Sequence, residues 1–582
     1  MKPQHGSATF EAGARAMTEA LASRKPEAFF ANATDPLHAG FQAKAAIHSG
    51  PGGMPLMGAD ARARHGALEV VPSLGKRLAY IHVPFCETRC LYCMFYQNPY
   101  RADAVTAYAR RLVRELELYA AKAPKDDAPI HAVYFGGGTP TALSPTDMRL
   151  VLDALKRCLP LANDCEITLE GRIHGFTLEK MEAALAGGVN RFSLGVQTFN
   201  TGVRQSVHRI DDRDTIIQTL EKLCAYDDAA VVIDLIYGFP GQTMAVWEDD
   251  LATASSLKLD GIDCYQLNVF EKSPLARYIA NGKLPAAATQ TEKADFFARS
   301  VEYLTTQNWR RISNNHWGSS TRERNIYNAL GKSACDCLAF GCGAGGRLNG
   351  NSFMMERKLA DYNTLIDAGE KPVSFMMSPK PNWHLLRTIS ADMESGAINL
   401  NRIARNFNAP DLEALAAPVL NQWCEAGMLM RRGEWLHQTV AGQYWHVTLA
   451  QLLMNWLEPL LPGAEKSPSL NPDMGAPATA KMMTQPATNT LKTANTVSDV
   501  ASVAQILMKY PAAMRDMARR MPRAMLLKAV KDAPESVFRD MSSTISRESI
   551  VHLIETLPQE QLNALLRNPE SALQKDTPAH LG

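Results

Sequence analysis

The spacing of apolar positions changes character at about Arg77. Beyond it, short apolar runs alternate with longer stretches whose apolar residues recur every three or four positions, the periods of strand and helix. The runs predict strands at Leu78–Val83, His131–Phe135, Glu166–Glu170, Arg191–Val196, Ala230–Ile236 and Cys264–Phe270. Helix-period stretches fall between them, at Asp103–Ala121, Pro145–Cys158, Leu178–Ala186, Asp214–Ala225 and Ala245–Ser256. Ser144 before Pro145, and Thr177 just ahead of Glu179, are helix-start signals. Such alternation predicts an α/β fold with a parallel sheet built from right-handed crossovers. Six units make a partial or full barrel, and barrels of this kind hold ligands at the C-terminal ends of their strands.

Outside these units the pattern is more varied. Residues 1–76 read as a lead-in, with one amphipathic segment (Phe10–Leu21), an irregular Gly/Pro-rich tract around Ser49–Gly58, and a helix or two. The barrel is expected over 77–375, with a further helix at 290–307, a strand-like Arg310–Ser313 and a Gly-rich run from Phe340 to Gly346. Residues 376–461 read as a small, mostly helical, winged-helix-like domain with a short strand at Trp435–Val440. The tract 462–497 has no aromatic residue and is rich in Pro, Ala, Thr and Asn, the composition of a disordered linker. Residues 498–582 then form a separate helical module. Its Met514, Met517, Met521 and Met525 fall at helical spacing, interrupted by Pro522, as a pliant core or docking surface does.

Composition narrows the class. The 582 residues are 46% hydrophobic and 21% charged, enough for a large core. A net charge of +1 gives no electrostatic reason to expect nucleic acid or an anionic membrane as partner. Eleven cysteines without disulfide-like periodicity suit a reducing compartment. With neither a signal-peptide pattern nor a membrane span, the expected location is cytoplasmic.

The densest chemistry lies in Tyr80-Ile-His-Val-Pro-Phe-Cys86-Glu-Thr-Arg-Cys90-Leu-Tyr-Cys93. Three thiolates at C-x3-C-x2-C spacing can hold three irons of a [4Fe–4S] cluster, and the next cysteine, Cys158, is too distant to complete it. One iron would stay open for a small molecule. The alternatives are inert thiols or a zinc knot, but a zinc knot wants paired C-x2-C ligands and a fourth. Phe135-Gly136-Gly137-Gly138-Thr139-Pro140 follows the second predicted strand, where backbone N–H groups can approach a ligand unobstructed. Glu170, Gln197 and Asp234 fall at later strand ends, where a buried carboxylate needs a partner such as an amine, a ribose diol or a neighbouring Arg. Arg209 can take a carboxylate as a bidentate fork. His316, between Asn315 and Trp317, is the candidate haem ligand or acid–base group, against the plainer reading of a hydrogen-bonded loop histidine. His82 and His174 border the same expected cavity. Cys335, Cys337 and Cys342 match no familiar cluster spacing and read as small apolar packing groups.

Four segments carry a resemblance: Tyr80–Cys86, the Gly-Gly-Gly-Thr-Pro run, Gly195-Val196-Gln197-Thr198-Phe199-Asn200, and Ile233-Asp-Leu-Ile-Tyr-Gly238. Over roughly Leu78 to Ala360 the chain resembles the radical S-adenosylmethionine (SAM) enzymes related to oxygen-independent coproporphyrinogen III oxidase. The resemblance implies a partial (β/α)6-type barrel with extra strands, a cluster on Cys86, Cys90 and Cys93, and SAM contacts from Tyr80, Gly137, Gly138, Thr139, Glu170, Gln197, Arg209 and Asp234. Tyr92 matches a position facing a second SAM.

Two departures narrow the relationship. The oxidase carries a further Cys where this chain has Phe95. Relatives proposed as haem chaperones carry His-Asn-x-x-Tyr-Trp where this chain reads Arg324-Asn325-Ile326-Tyr327-Asn328. Leu169-Glu-Gly-Arg-Ile173, Ile312-Ser-Asn-Asn-His-Trp-Gly318 and Thr321-Arg-Glu-Arg-Asn-Ile-Tyr327 are instead similar to the anaerobic haem-degrading radical SAM methyltransferases of bacterial haem-utilisation systems. That similarity implies reductive cleavage of SAM to methionine and a 5′-deoxyadenosyl radical, methyl transfer, opening of the porphyrin to a linear tetrapyrrole, and iron release. It also implies haem as substrate and an electron donor such as a flavodoxin or flavin reductase. Arg172, Arg311, Arg322 and Arg324 are then candidate partners for the haem propionates, because Arg pairs with carboxylates bidentately. The competing readings are the decarboxylating oxidase and a haem chaperone without turnover.

Overall fold

The computed structural model describes residues 25–462, Leu74 excepted. The Phe10–Leu21 segment, the linker expected after Pro462, and the 498–582 module with its methionine stripe lie outside the described residues.

Thirteen strands make one sheet: β1 (Gly53–Met57), β2 (Arg77–Val83), β3 (Ile130–Gly137), β4 (Leu161–Gly171), β5 (Arg191–Gln197), β6 (Ala230–Tyr237) and β7 (Gly261–Gln266), then β8 (Arg310–Arg311), β9 (His316–Gly318), β10 (Asp336–Phe340), β11 (Gly345–Leu348), β12 (Asn351–Met355) and β13 (Val373–Pro379). Their order is β1-β13-β12-β11-β10-β2-β3-β4-β5-β6-β7-β9-β8. Strands β2 to β7 run parallel in chain order, and β10 adds a seventh parallel strand beside β2. Antiparallel strands extend the sheet at both ends. This is the expected partial barrel with extra strands.

The crossover helices are α1 (Ala102–Ala120), α2 (Pro145–Cys158), α3 (Leu178–Ala186), α4 (Arg213–Ala225) and α5 (Met244–Ser256), followed by α6 (Gln290–Thr306). Their starts are chemically marked. Ser144, Asp212 and Thr243 accept backbone N–H bonds at the second or third helical residue, and Thr289 forms a reciprocal capping box with Glu292. Thr177 makes no such side-chain bond. Alternation along β2 sends Ala79, Ile81 and Val83 into the apolar layer beneath the helices, and Tyr80 and His82 to the opposite face. Trp247 of α5 is wholly buried there, its indole N–H donating to Ser300 Oγ at 3.0 Å.

Three expectations need correction. The Ser49–Gly58 tract is not wholly irregular, because Gly53 to Met57 pair in antiparallel register with Pro379 to Phe375. That partner is remote in sequence, so local composition carries no sign of it. The strand expected at Cys264–Phe270 begins at Gly261 and ends at Gln266; the chain then turns toward a helix capped by Ser273. The strand expected at Arg310–Ser313 is only two residues long, since the N–H groups of Ile312 and Ser313 both turn back to the carbonyl of His316.

Residues 319–327 cross the N-terminal ends of the barrel strands as a strap. Ser320 Oγ donates to Asp260 Oδ1 at 2.7 Å before β7, and Arg322 donates to the Ala229 carbonyl at 2.9 Å before β6. Glu323 pairs with Arg191 at the start of β5, and the Ile326 and Tyr327 N–H groups both donate to Glu166 of β4 at 3.0 Å. The strap thus floors the barrel opposite the ends where ligands bind.

After β13, five helices (Trp383–Ser395, Leu400–Phe407, Leu412–Glu425, Val440–Tyr444 and His446–Leu457) accompany a three-stranded ribbon of Ala397–Ile398, Trp435–Gln438 and Leu429–Arg432. This is the helical, winged-helix-like arrangement expected. The early segment is anchored to it: Trp423 and Trp445 donate their indole N–H groups to the Phe29 and Leu37 carbonyls, both at 2.9 Å.

Candidate active site

The cysteine loop leaves β2 at Val83 and is held from several sides. The Asn98 and Tyr100 N–H groups donate to the Pro84 and Cys86 carbonyls, at 3.1 and 2.9 Å, closing its base. The Leu91 N–H donates to Val207 O at 3.2 Å, and the Leu275 N–H to Leu91 O at 3.0 Å, tying its tip to later units. Arg172, a candidate propionate partner, instead pins this loop through Thr88 O (3.1 Å) and Thr88 Oγ1 (2.9 Å). His174 bridges Glu87 at 3.3 Å and Asp211 at 3.0 Å, so it too serves the loop.

The loop brings Cys86 close enough to Cys93 and Cys90, and Cys93 close enough to Cys90, for their charges to be felt. Cys86 and Cys90 are buried and Cys93 is half-buried. Thr139 Oγ1 lies 3.3 Å from Cys86 Sγ, and Arg209 Nη1 lies 3.7 Å from Cys90 Sγ. Burial pushes the Cys86 and Cys93 thiols up, whereas at Cys90 the Arg209 and Arg172 charges outweigh burial and hold the thiol down.

Gly137 and Gly138 stand beside this loop for steric reasons. Gly137 has φ +113°, and a Cβ there would sit 2.6 Å from the His82 ring; a Cβ on Gly138 would sit 2.8 Å from the Phe85 backbone. His82 bonds Tyr80 Oη at 3.1 Å, and burial pushes its imidazole down to about 4, so it is neutral and backs the glycine turn. A Cβ on the preceding Gly136 would meet Glu170 Oε2 at 2.8 Å and Tyr80 Oη at 3.0 Å, which places all three at one wall.

Glu170, Gln197 and Asp234 complete that wall from β4, β5 and β6. Burial, reinforced by Asp234, pushes the Glu170 carboxyl up to about 8. Burial and Asp263 push Asp234 up as well. Gln197 adopts φ +74° at an irregularity in the β5–β6 register, and its buried Oε1 has no hydrogen-bond partner. A strained backbone and an orphaned buried amide oxygen at a strand end mark a ligand position. Arg209 donates to the Gly195 carbonyl, spanning this wall and Cys90. Tyr92 lies against Phe239, ring centroids 5.2 Å apart, in an apolar cluster with Leu91, Val207, Leu267 and Leu275.

Other candidates lie elsewhere. His316 is sealed in the barrel floor, Nε2 3.1 Å from Glu323 Oε1 and Nδ1 2.9 Å from Asp263 Oδ2. Both ring nitrogens therefore face carboxylates, and neither can ligate haem iron. Arg322 and Arg324 pair with Asp227 and Asp164 on the outer floor, beside a solvent-open depression of about 250 Å3. Arg311 is spent on the Ser313 and Asn314 carbonyls and stacks over Trp317. Cys337 packs near Tyr327, Cys342 donates to the Arg357 carbonyl, and Cys335 sits by Ser333, so these three form no cluster.

Two further groups at this wall belong to no sequence motif. Gln97 points its Nε2 at His82 Nε2 (3.3 Å), and its Oε1 is buried without a partner. Asp263 on β7 is the register partner of Asp234 on the adjacent parallel strand, so the two side chains share a face.

A [4Fe–4S] cluster with one iron free of protein ligands, and an amino-acid-bearing nucleoside beside it, fit these residues. The three thiols lie on a loop against which Gly138 packs, and Glu170, Gln197 and Asp234 lie on three neighbouring strands beside it.

Comparison with known proteins agrees. The Radical SAM superfamily sequence model matches residues 80–254. The anaerobilin synthase of Escherichia coli O157:H7 is 42% identical over 386 residues, which cover 66% of this chain and 85% of that protein. The heme chaperone HemW of Bacillus subtilis (strain 168) is 27% identical over 60% of this chain and 92% of its own length. Among solved structures, the radical SAM enzyme coproporphyrinogen III oxidase of Escherichia coli shares the fold, with a TM-score of 0.59 and 20% identity over 66% of this chain and 92% of that one. No helix among the described residues is long and apolar enough to cross a membrane. From the synthase-level identity, and from a cysteine loop set at the C-terminal ends of a parallel barrel, it follows that the chain belongs to the radical SAM enzymes and, within them, to the anaerobilin synthase family.

Proposed function

We propose that this chain degrades haem without O2, transferring a methyl group and opening the porphyrin to a linear tetrapyrrole with release of iron. The observation that carries the reading is the 42% identity extending over 85% of an anaerobilin synthase. The more distant heme chaperone matches at 27%.

Cys86, Cys90 and Cys93 are the cluster ligands in this reading. Together the cluster and SAM supply one-electron cleavage of a sulfonium C–S bond. The chain's own residues do the rest. Gly137 and Gly138 clear space for the amino-acid end of SAM, with Thr139 alongside. Glu170 and Asp234 accept its amine and ribose hydroxyls, Gln197 supplies an amide, and Tyr80 closes the wall. Arg209 joins the wall to the cluster loop. Tyr92 and Phe239 form an apolar side that excludes water where competing reactions would otherwise begin. Haem enters from this C-terminal face, since the arginines of the floor lie at the opposite end. An external one-electron donor, such as a flavodoxin or flavin reductase, completes the system in a reducing, cytoplasmic setting.

The test is anaerobic incubation of the cluster-reconstituted chain with haem, SAM and a reductant. Loss of the Soret band with chelatable iron release is expected. Stoichiometric haem binding with an unchanged spectrum would overturn the proposal in favour of a haem carrier, and conversion of coproporphyrinogen III would favour the oxidase.

A further inference from the structure

One line of buried charges runs from the floor strap to the SAM wall. Arg191 Nε lies 3.0 Å from Glu323 Oε2; Glu323 Oε1 lies 3.1 Å from His316 Nε2; and His316 Nδ1 lies 2.9 Å from Asp263 Oδ2. Asp263 is in parallel register with Asp234 on the next strand, and His316 is in antiparallel register with Asp263. His316 and Glu323 are about 1% exposed or less, so water screens none of this. We propose that His316 is a positioning residue for SAM: its imidazolium, clamped between Glu323 and Asp263, offsets the Asp263 charge so that Asp234 can meet the ribose as a carboxylate.

Two carboxylates on adjacent strands of one face disfavour each other's ionised form, and a cation on the far side of one relieves both. His316 is the group placed to do this. Glu323, itself held by Arg191, fixes the imidazole in the cationic form by facing its second nitrogen. Tyr265 also faces Asp263; Glu170 and Tyr134 face Asp234 from β4 and β3, and Arg191 and Arg209 reach it from β5 and the loop beyond it. Among these cations only His316 lies within 3 Å of Asp263. The coupling explains a histidine buried so deeply with no access to substrate.

The inference depends on Asp234 being a SAM contact, and the experiment separates the two. SAM dissociation constants would be measured by equilibrium dialysis on the cluster-reconstituted full chain from pH 6 to 9. Asp234→Asn should weaken binding; if it does not, the contact itself is wrong. His316→Gln should weaken binding roughly tenfold at pH 7 and move the acidic limb of the profile upward. Adding Asp263→Asn should restore affinity, because the charge that His316 offsets is gone. Uniform weakening at every pH with no restoration overturns the proposal. Should His316→Gln fail to fold, Asp263→Asn alone should extend tight binding to lower pH, and an unmoved profile is equally fatal.

Discussion

Arg191 and Glu323 form a wholly buried ion pair across 132 residues of sequence, Nε to Oε2 at 3.0 Å. The pair bolts the floor strap to the start of β5. Removing one partner strands the other charge, and also strands His316. Glu323→Ala should therefore cost about 3–5 kcal/mol of unfolding free energy. Glu323→Gln, which keeps shape and an acceptor, should cost less. Denaturant titration of both variants measures this; equal, small losses would show that the strap is not anchored there.

The same network sets a pH window. Glu323 resists burial because His316 and Arg191 hold its carboxyl down to about 2, from an ordinary 4.5. Its contribution is present above pH 4.5 and lost as pH falls toward 2. His316 is opposed by burial, yet Asp263 and Glu323 hold it up at about 9, from 6.5. Its contribution is complete below pH 6.5 and disappears as pH rises through 9. Wild-type stability should thus decline from pH 6.5 to 9 by more than that of His316→Gln, read as denaturation midpoints at fixed salt.

Gly137 tests the turn beside the cysteines. A Cβ there meets the His82 ring and forces a side chain onto φ +113°. Gly137→Ala should cost more than about 1 kcal/mol. Pairing it with His82→Ala should recover the part due to the ring and leave the backbone part. Additive losses in the double variant would mean the ring does not limit that turn.

The outer arginines should matter little to substrate. Arg322 and Arg324 sit in half-exposed pairs on the floor, each worth about 0–1 kcal/mol. Arg324→Ala and Arg322→Ala should bind haem as the parent does in a Soret titration. A tenfold loss in either would place haem at the floor.

Cys90→Ala should abolish the cluster's visible absorbance and SAM cleavage while circular dichroism stays that of the parent. A chain ended at Pro462 should keep both, because Leu461 already closes the helical region against its core. A truncated chain without cleavage would make the later residues part of the chemistry.

What could be read from sequence was whatever rests on local spacing. The Cys86–Cys93 spacing, the Gly136–Gly138 run after a strand, and the strand–helix alternation are each decided within some ten residues. The β1 strand and the 319–327 strap were not readable, because their partners lie on distant elements, from 60 residues away for Ser320 to more than 300 for β1, and their own segments are polar or glycine-rich. His316 shows the limit most clearly. Its neighbours Asn315 and Trp317 leave a haem ligand, an acid–base group and a hydrogen-bonded loop histidine all open, while its environment is set by Asp263 and Glu323, brought to its two ring nitrogens by the fold.

The pairing of β1 with β13 also bears on biosynthesis. As the chain leaves the ribosome, Gly53–Met57 emerges early, and its hydrogen-bonding edge has no mate until Val373–Pro379 follows. Throughout that interval an unsatisfied strand is available to other nascent chains. Gly52 and Gly58, which flank it with positive φ, and Pro55 within it, which lacks an N–H, blunt that edge during the wait.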